Sequence, residues 1–369
     1  MTRLGDVCEY RNESIAAEAA TSMPLYISTD SMMPNRGPIF SSTLPNTGKV
    51  KRFQAGDTLV SNIRPYFKKI WRADAEGACS NDVLVFTPTK CLPDYLHWIL
   101  SSDDFFSFVT KTSKGTKMPR GDKRAIMNYS VQVPSETEQH TICAIMDSLQ
   151  KKITINGQLN DYLLELATVR FEQELVKESK TYRFSELIEL EDSKRVPLNS
   201  RDRKVRKGSY PYYGATSIMD YVDDYLFDGI RVLLGEDGTV IREDGKPVLQ
   251  YVWGKYWVNN HAHILKSKAA YSLEAIYIAL ARTTINHIVT GAVQMKISQK
   301  NLNDLELEMP TASSLDYLED IFALYRSKAE ESKKLGILRD ALLPKLMSGE
   351  IDASKVDLTQ LTNNHLAAC

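Results

Sequence analysis

The sequence contains no stretch approaching 18 consecutive apolar residues, so no transmembrane helix is expected. Its opening, Met1-Thr2-Arg3-Leu4-Gly5-Asp6, does not read as a signal peptide. Cysteine is sparse: Cys8, Cys79, Cys91, Cys143 and Cys369 are odd in number and scattered, with no CxxC. That pattern argues against a disulfide frame or a zinc site and reads as reduced thiols of a cytoplasmic protein. No GxxxxGK[ST] loop is present, which argues against an ATPase, and no Gly-rich fingerprint follows a strand to hold a nucleotide. The Asn/Asp-Pro-Pro-Tyr/Phe tetrapeptide that serves methylation of an exocyclic amine is also missing. Nor is there a charge excess, the net charge being −1. Any nucleic-acid role must come from local basic patches or be shared with a basic partner.

What is present is an ordinary globular composition, 43% hydrophobic and 25% charged over 369 residues, enough for two to three domains with real cores. Its most informative stretch runs from Ser135 to about Val176. Ser135 and Glu138 form a capping box. Beyond it, Ile142, Met146, Leu149, Ile153, Asn156, Asn160, Leu163 and Ala167 recur at steps of four and three. This is a heptad seam, with Asn156 and Asn160 as the polar positions that fix register. Only Gly157 weakens it, by roughly 1 kcal/mol against Ala. At about 1.5 Å per residue, some 36 residues make a rod on the order of 54 Å, too long for one small domain. A second stripe, Leu315, Leu318, Phe322, Tyr325, Ala329, Leu335, Leu338 and Leu342, follows a capping signal at Ser313 and Asp316. Pro344 is expected to end or kink that helix.

Each long helix follows a stretch of short strands. Residues 1–134 read as one α/β domain, 135–180 as the central helix, 181–312 as a second α/β domain, 313–350 as the C-terminal helix, and 351–369 as a tail expected to be disordered. Gly115 to Pro134 and Gly291 to Pro310 have the same length and stand 176 residues apart. The order strand, short helix, Gly-containing polar loop, strand, Pro, long helix thus occurs twice. The fold class expected is α/β: two such domains separated by two long antiparallel coiled-coil helices, with an internal pseudo-twofold duplication.

Both domains carry basic faces suited to DNA, whose phosphates take cations and whose base edges take amides, hydroxyls and Arg. In the first, the Lys111–Arg124 loop holds six cations against one acid. Its candidates are Lys114, Lys117, Arg120, Lys123 and Arg124, joined by Asn62, Arg64, Tyr66 and Lys68. In the second, Lys207, Tyr210, Tyr212 and Tyr213 form a basic-aromatic patch, and Gln294, Lys296, Ser298 and Lys300 stand where the first loop stands. Solvated surface loops are the plainer alternative. A different chemistry is offered by Glu236, Asp237, His261 and His263. His261 and His263 share one strand face, as metal ligands do, but no spacing completes a set, so no metal is expected.

Several segments together resemble the specificity subunit of Type I restriction-modification systems. In the second half these are Tyr210-Pro-Tyr-Tyr-Gly-Ala215, Gly235-Glu-Asp-Gly238, Val258-Asn-Asn-His-Ala-His263 and Lys296-Ile-Ser-Gln-Lys300. In the first they are Gly56-Asp57, Ser61-Asn62-Ile63-Arg64-Pro65-Tyr66, Cys79-Ser-Asn-Asp82 and Gly115-Thr-Lys-Met-Pro-Arg-Gly-Asp122, and the helix ending Leu338 to Ile351 also matches. The resemblance implies two target-recognition domains, each reading one half of a split asymmetric DNA site, with a coiled coil that recruits two methyltransferase subunits. It implies a chain that is not itself an enzyme and holds no cofactor. S-adenosylmethionine belongs to the partner methyltransferase, and ATP and Mg to the partner endonuclease/translocase. A specificity subunit of a methylation-only defence system, and an enzyme or scaffold built around Glu236, Asp237, His261 and His263, are the alternatives.

Overall fold

The computed structural model describes residues 2–268, 270–291 and 294–356. Of the tail expected at 351–369, residues 357–369 lie outside the described residues, whereas 351–356 are ordered: a 3-10 turn, Ala353–Lys355, buries Ala353 in the core of the first unit. Contacts divide the chain into two units, Met1–Asn156 with Glu330–Cys369, and Gly157–Ala329. Both mix helix and sheet.

In the first unit an antiparallel sheet orders its strands Cys8–Tyr10, Val83–Pro88, Thr58–Ser61 and Ile70–Arg72. The run Val83-Leu84-Val85-Phe86 is apolar throughout because both faces of its strand are covered. Leu84 and Phe86 pack with Trp98, Phe105 and Phe106 of the helices Pro93–Ser101 and Asp103–Thr112. Val83 and Val85, pointing the other way, pack with Ile27, Phe53 and Cys79 of a second sheet. That sheet orders Ser14–Ala16, Lys49–Phe53, Gly77–Cys79 and Tyr26–Ile27. Cys8, Cys79, Cys91 and Cys143 are free thiols.

The second unit builds its central sheet from Ile188–Leu190, Ala262–Ser267, Arg231–Gly235 and Leu249–Val252, again antiparallel. Here Val232, Leu234 and Leu265 face the helix Leu273–Arg282, while Leu233, Ile264 and Ala262 face Tyr256 and Val258 of a second sheet. The chain visits the four strands of this sheet in the same order as in the first unit.

The first long helix runs unbroken from Glu136 to Lys177. Its capping box forms: Ser135 N donates to Glu138 Oε2 at 3.0 Å and Glu138 N to Ser135 Oγ at 3.4 Å. Within the first unit Ile142, Ile145, Met146 and Leu149 are buried, and Leu343 and Leu346 of the second long helix join the same core. Asn156, also buried, donates from Nδ2 to Glu331 Oε2 at 3.1 Å. Within the second unit Leu163, Ala167 and Phe171 pack with Leu315, Leu318 and Phe322.

The second long helix differs from expectation at both ends. A 3-10 turn, Ala312–Leu315, precedes it, and the α-helix itself spans Tyr317–Met347. In that turn Ser314 Oγ donates to Thr311 O at 2.8 Å, and Leu315 reaches the core. Pro344 lies inside the final turn without ending it. Buried Leu343 and Leu346 anchor the turn on either side of the missing N–H.

Removing a large side chain from this packing is expected to be costly. Phe171→Ala should lower the unfolding free energy of its unit by about 3–5 kcal/mol in urea titrations. Val176→Ala, at a side chain left 89% exposed, should change it by less than about 0.5 kcal/mol. Equal effects would contradict the packing described.

Candidate nucleic-acid interface

In the first unit the basic loop is a hairpin. Lys114 and Arg120 exchange backbone hydrogen bonds, Lys114 N to Arg120 O at 2.8 Å and the reverse at 2.9 Å. Gly115 turns the chain at φ 97°, a left-handed conformation that glycine adopts without strain. Asp122 then caps the helix Lys123–Met127 by accepting from Arg124 N and Ala125 N. The hydrogen bond and charge of Lys114 and those two amides hold the Asp122 carboxyl down at about 2. The hairpin is fastened by its register: Arg120 pairs with Ile63, and Gly121 N donates to Asn62 O at 3.3 Å. In turn Asn62 N donates to Asp82 O at 2.8 Å, and the Asp82 carboxylate meets Arg120 Nη2 at 3.0 Å.

Behind this lies Lys51, 8% exposed. Its Nζ donates to Asn81 O at 3.0 Å and Val83 O at 2.6 Å, the carbonyls on either side of Asp82. Burial lowers the pKa of this amine.

The second unit holds the same arrangement. Thr290 and Lys296 pair where Lys114 and Arg120 do, with Gly291 at φ 88° in the place of Gly115. Lys296 pairs with Asp237, Ile297 N donates to Glu236 O at 2.9 Å, and Glu236 N donates to His261 O at 2.8 Å. Ser298 caps the helix Gln299–Asn303. His261 Nδ1 meets Asp237 Oδ1. Arg195 Nη1 donates to Ala262 O at 2.7 Å and Asn260 O at 3.4 Å, the carbonyls on either side of His261.

A buried charge network lies beneath this second hairpin. Asp192 accepts from His263 Nδ1 at 2.6 Å, Gln299 Nε2 at 2.6 Å and Ile264 N at 2.8 Å. The other imidazole nitrogen, Nε2, faces Ile297 O at 2.9 Å. Glu236 takes Arg195 at 2.6 Å and Lys296 at 3.6 Å. Burial raises the pKa of Asp192, but the bond and charge of His263, with Ile264 N and Gln299, more than offset it and leave the carboxyl below its ordinary range.

Asp192, Glu236 and His263 are close enough to share a cation. Their surroundings do not suit one, because Arg195 contacts both carboxylates and Lys296 and Gln299 occupy them further. The same bonds leave Glu236 and His263 committed to the fold, and His261 committed to Asp237.

The residues singled out in the sequence fall into three groups. Lys114, Lys117, Arg120, Lys123 and Arg124 are exposed and cluster on the first hairpin and its following helix, as do Gln294, Lys296 and Lys300 on the second, with Ser298 at the cap. Among the described residues Lys117, Lys123, Arg124 and Lys300 make no ion pair. A neighbouring turn carries Arg64, Tyr66 and Lys68. Arg64 N donates to Pro119 O at 2.8 Å, Tyr66 is exposed, and Lys68 pairs with Asp103 at 2.8 Å. Asn62 is buried and acts through its backbone, its amide oxygen finding no partner among the described residues. The aromatic patch lies on another sheet: Tyr212 is fully buried with its hydroxyl accepting from Leu198 N at 2.9 Å, Tyr213 packs on Tyr256, and Tyr210 on Tyr225. Lys207 pairs with Asp220. Lys51, Asp82, Asp192 and Arg195 were missed. They lie far in sequence from the hairpins they support; Asp82 falls in the quoted segment Cys79-Ser-Asn-Asp82, which gives no hint of its bond to Arg120, and no local pattern marks the other three.

The family described as "Type I restriction modification DNA specificity domain" matches residues 1–165 and 176–330. A putative type I restriction enzyme specificity subunit of Haemophilus influenzae is 30% identical over 128 residues, 35% of this chain and 32% of that protein. The specificity subunit of the type I restriction enzyme EcoprrI of Escherichia coli is 22% identical over 175 residues, 47% of this chain and 40% of that one. The matched stretches thus span well under two thirds of these curated relatives. The solved Type-I restriction-modification system S subunit from M. genitalium shares the fold, with a TM-score of 0.52 and 13% identity over 94% of this chain and 95% of that one.

Asp192→Asn removes the acceptor that His263, Gln299 and Arg195 share. It is expected to destabilise the second unit by about 3 kcal/mol at neutral pH. The carboxyl's folded pKa is depressed, so its contribution is complete above the ordinary carboxylate range and lost as pH falls through the depressed value. Urea midpoints against pH should therefore fall more steeply on the acid side for the parent chain than for D192N. Parallel curves would contradict the network's role.

Proposed function

The chain belongs to the Type I restriction modification DNA specificity family, and from that premise we propose that it is the non-catalytic DNA-recognition subunit of such a complex. Each half reads one part of a split, asymmetric site. Residues 1–134 and 181–312 act as the two target-recognition domains, and the long helices 135–180 and 313–350 pair as an antiparallel coiled coil that spaces them and recruits two methyltransferase subunits. The partners bring S-adenosylmethionine, and for cleavage an endonuclease/translocase brings ATP and Mg. The assembly works in the cytoplasm. Among the described residues no helix is long and apolar enough to cross a membrane.

One observation carries this reading. The same hairpin, with the same backbone fastening and a capped helix after it, occurs in each half, and each presents exposed cations, Lys117, Lys123 and Arg124 in the first and Lys296 and Lys300 in the second. The two hairpins stand 176 residues apart, the offset of the Gly–Pro spacing, which supports an internal duplication. Their side chains differ: Arg120, Lys123 and Arg124 in one place face Lys296, Gln299 and Lys300 in the other. Arg suits guanine and Gln suits adenine, so unlike half-sites follow. A net charge of −1 fits a chain whose basic partners share the grip on DNA.

In the second half the first long helix leaves Tyr162, Leu166, Val169 and Val176 exposed, at 67%, 46%, 45% and 89%. Apolar side chains at this spacing on a solvent face form a docking stripe, which we assign to a methyltransferase subunit.

Two outcomes test the proposal. Co-expression with the methyltransferase subunit of its own system should methylate a split motif genome-wide only when both proteins are present, and exchanging residues 1–134 should change one half-site alone. A continuous motif, or methylation independent of this chain, would overturn it. Replacing Tyr162 and Leu166 by acidic residues should abolish co-purification of the methyltransferase without lowering thermal stability, and unchanged co-purification would move the docking surface elsewhere.

A further inference from the structure

In each half one cation, buried Lys51 or half-buried Arg195, grips two backbone carbonyls, and the two grips correspond. Lys51 takes Asn81 O and Val83 O, and Arg195 takes Asn260 O and Ala262 O. Both pairs flank the residue that enters a central strand, Val83–Pro88 in one unit and Ala262–Ser267 in the other. That flanked residue, Asp82 or His261, gives its carbonyl to the backbone beneath the hairpin and sends its side chain to it. Asp82 reaches Arg120 directly, and His261 reaches Asp237, which pairs with Lys296. The cations come from unrelated elements. Lys51 lies on strand Lys49–Phe53, whereas Arg195 follows the turn Asp192–Lys194. The same bonds reached from two directions mark a requirement of the site.

We propose that Lys51 and Arg195 are positioning residues for DNA specificity, each holding the reading hairpin of its own half in register. Two carbonyls gripped on either side of one residue fix the orientation of that residue. Releasing the grip frees the Asp82 or His261 turn, and Arg120 or Lys296 loses the geometry that base-edge contacts demand. Lys51 is suited to this task because it is 8% exposed, so it cannot itself touch DNA. A positioning lysine of this kind uses its charge and reach, so arginine should serve in its place, and a neutral side chain of similar length should not.

The inference rests on the DNA-reading function proposed above, and the test separates the two. The full chain is assembled with its methyltransferase, and methylation of the cognate duplex is compared with that of duplexes altered singly in either half-site. A parent complex that shows no preference refutes the DNA-reading function itself. Given a preferring parent, Lys51→Met should reduce discrimination about tenfold in the first half-site and leave the second unchanged. Lys51→Arg should restore it. Arg195→Met should do the converse, with Arg195→Lys restoring part. Uniform loss at both half-sites, or parental discrimination at both, would overturn the proposal. Should Lys51→Met fail to assemble, Asp82→Asn cuts the same chain of contacts one bond further out and is judged by the same two outcomes.

Discussion

A charge taken out of water must be met by other polar groups, and in this protein that constraint organises both hairpin surfaces. Lys51 has only carbonyl oxygens to receive two of its hydrogens. An ammonium so buried is tolerable only where the backbone stays fixed in place to receive it. The cost of its burial therefore becomes rigidity of the turn at Asp82. In the second unit the same turn is held by Arg195, whose charge also meets Glu236 and Asp192. Here removal of any one member leaves others buried and unmet, so the network holds as a unit.

From that fixed turn the rest follows outward. The backbone of Asn62 or Glu236 joins the turn to a hairpin, a glycine with positive φ closes the hairpin, and the cap of a short helix stands two residues beyond Arg120 or Lys296. Cations then stand on a surface whose backbone has no slack. The near-neutral net charge of the chain conceals the local excess on the first hairpin, where six cations stand against one acid.

The features legible in the sequence were those with a local signature. The capping box of Ser135 and Glu138 forms with both of its bonds, and the apolar steps from Ile142 to Leu149 and from Leu163 to Ala167 mark buried positions. The spacing of Gly115 and Gly291 located two hairpins of one register. Less legible were the helix ends. Ser313 and Asp316 have the letters of a cap, but the burial of Leu315 draws the chain into a 3-10 turn first. Tyr212 has the look of a surface aromatic beside basic residues, yet its hydroxyl is consumed by Leu198 and its ring by the core. Lys51, Asp192 and Arg195 are ordinary charged residues by every local measure. Their partners are backbone carbonyls and side chains up to 107 positions away, as Gln299 is from Asp192, and no short pattern encodes such a meeting.

The proposed function requires that the two hairpins meet DNA. Amide hydrogen exchange of the complete chain, in complex with its methyltransferase, tests it most directly when measured with and without cognate duplex. Slowed exchange at residues 114–124 and 294–300 together, with the aromatic sheet around Tyr212 unchanged, is expected. Protection confined to other surfaces, with both hairpins exchanging as before, would contradict it.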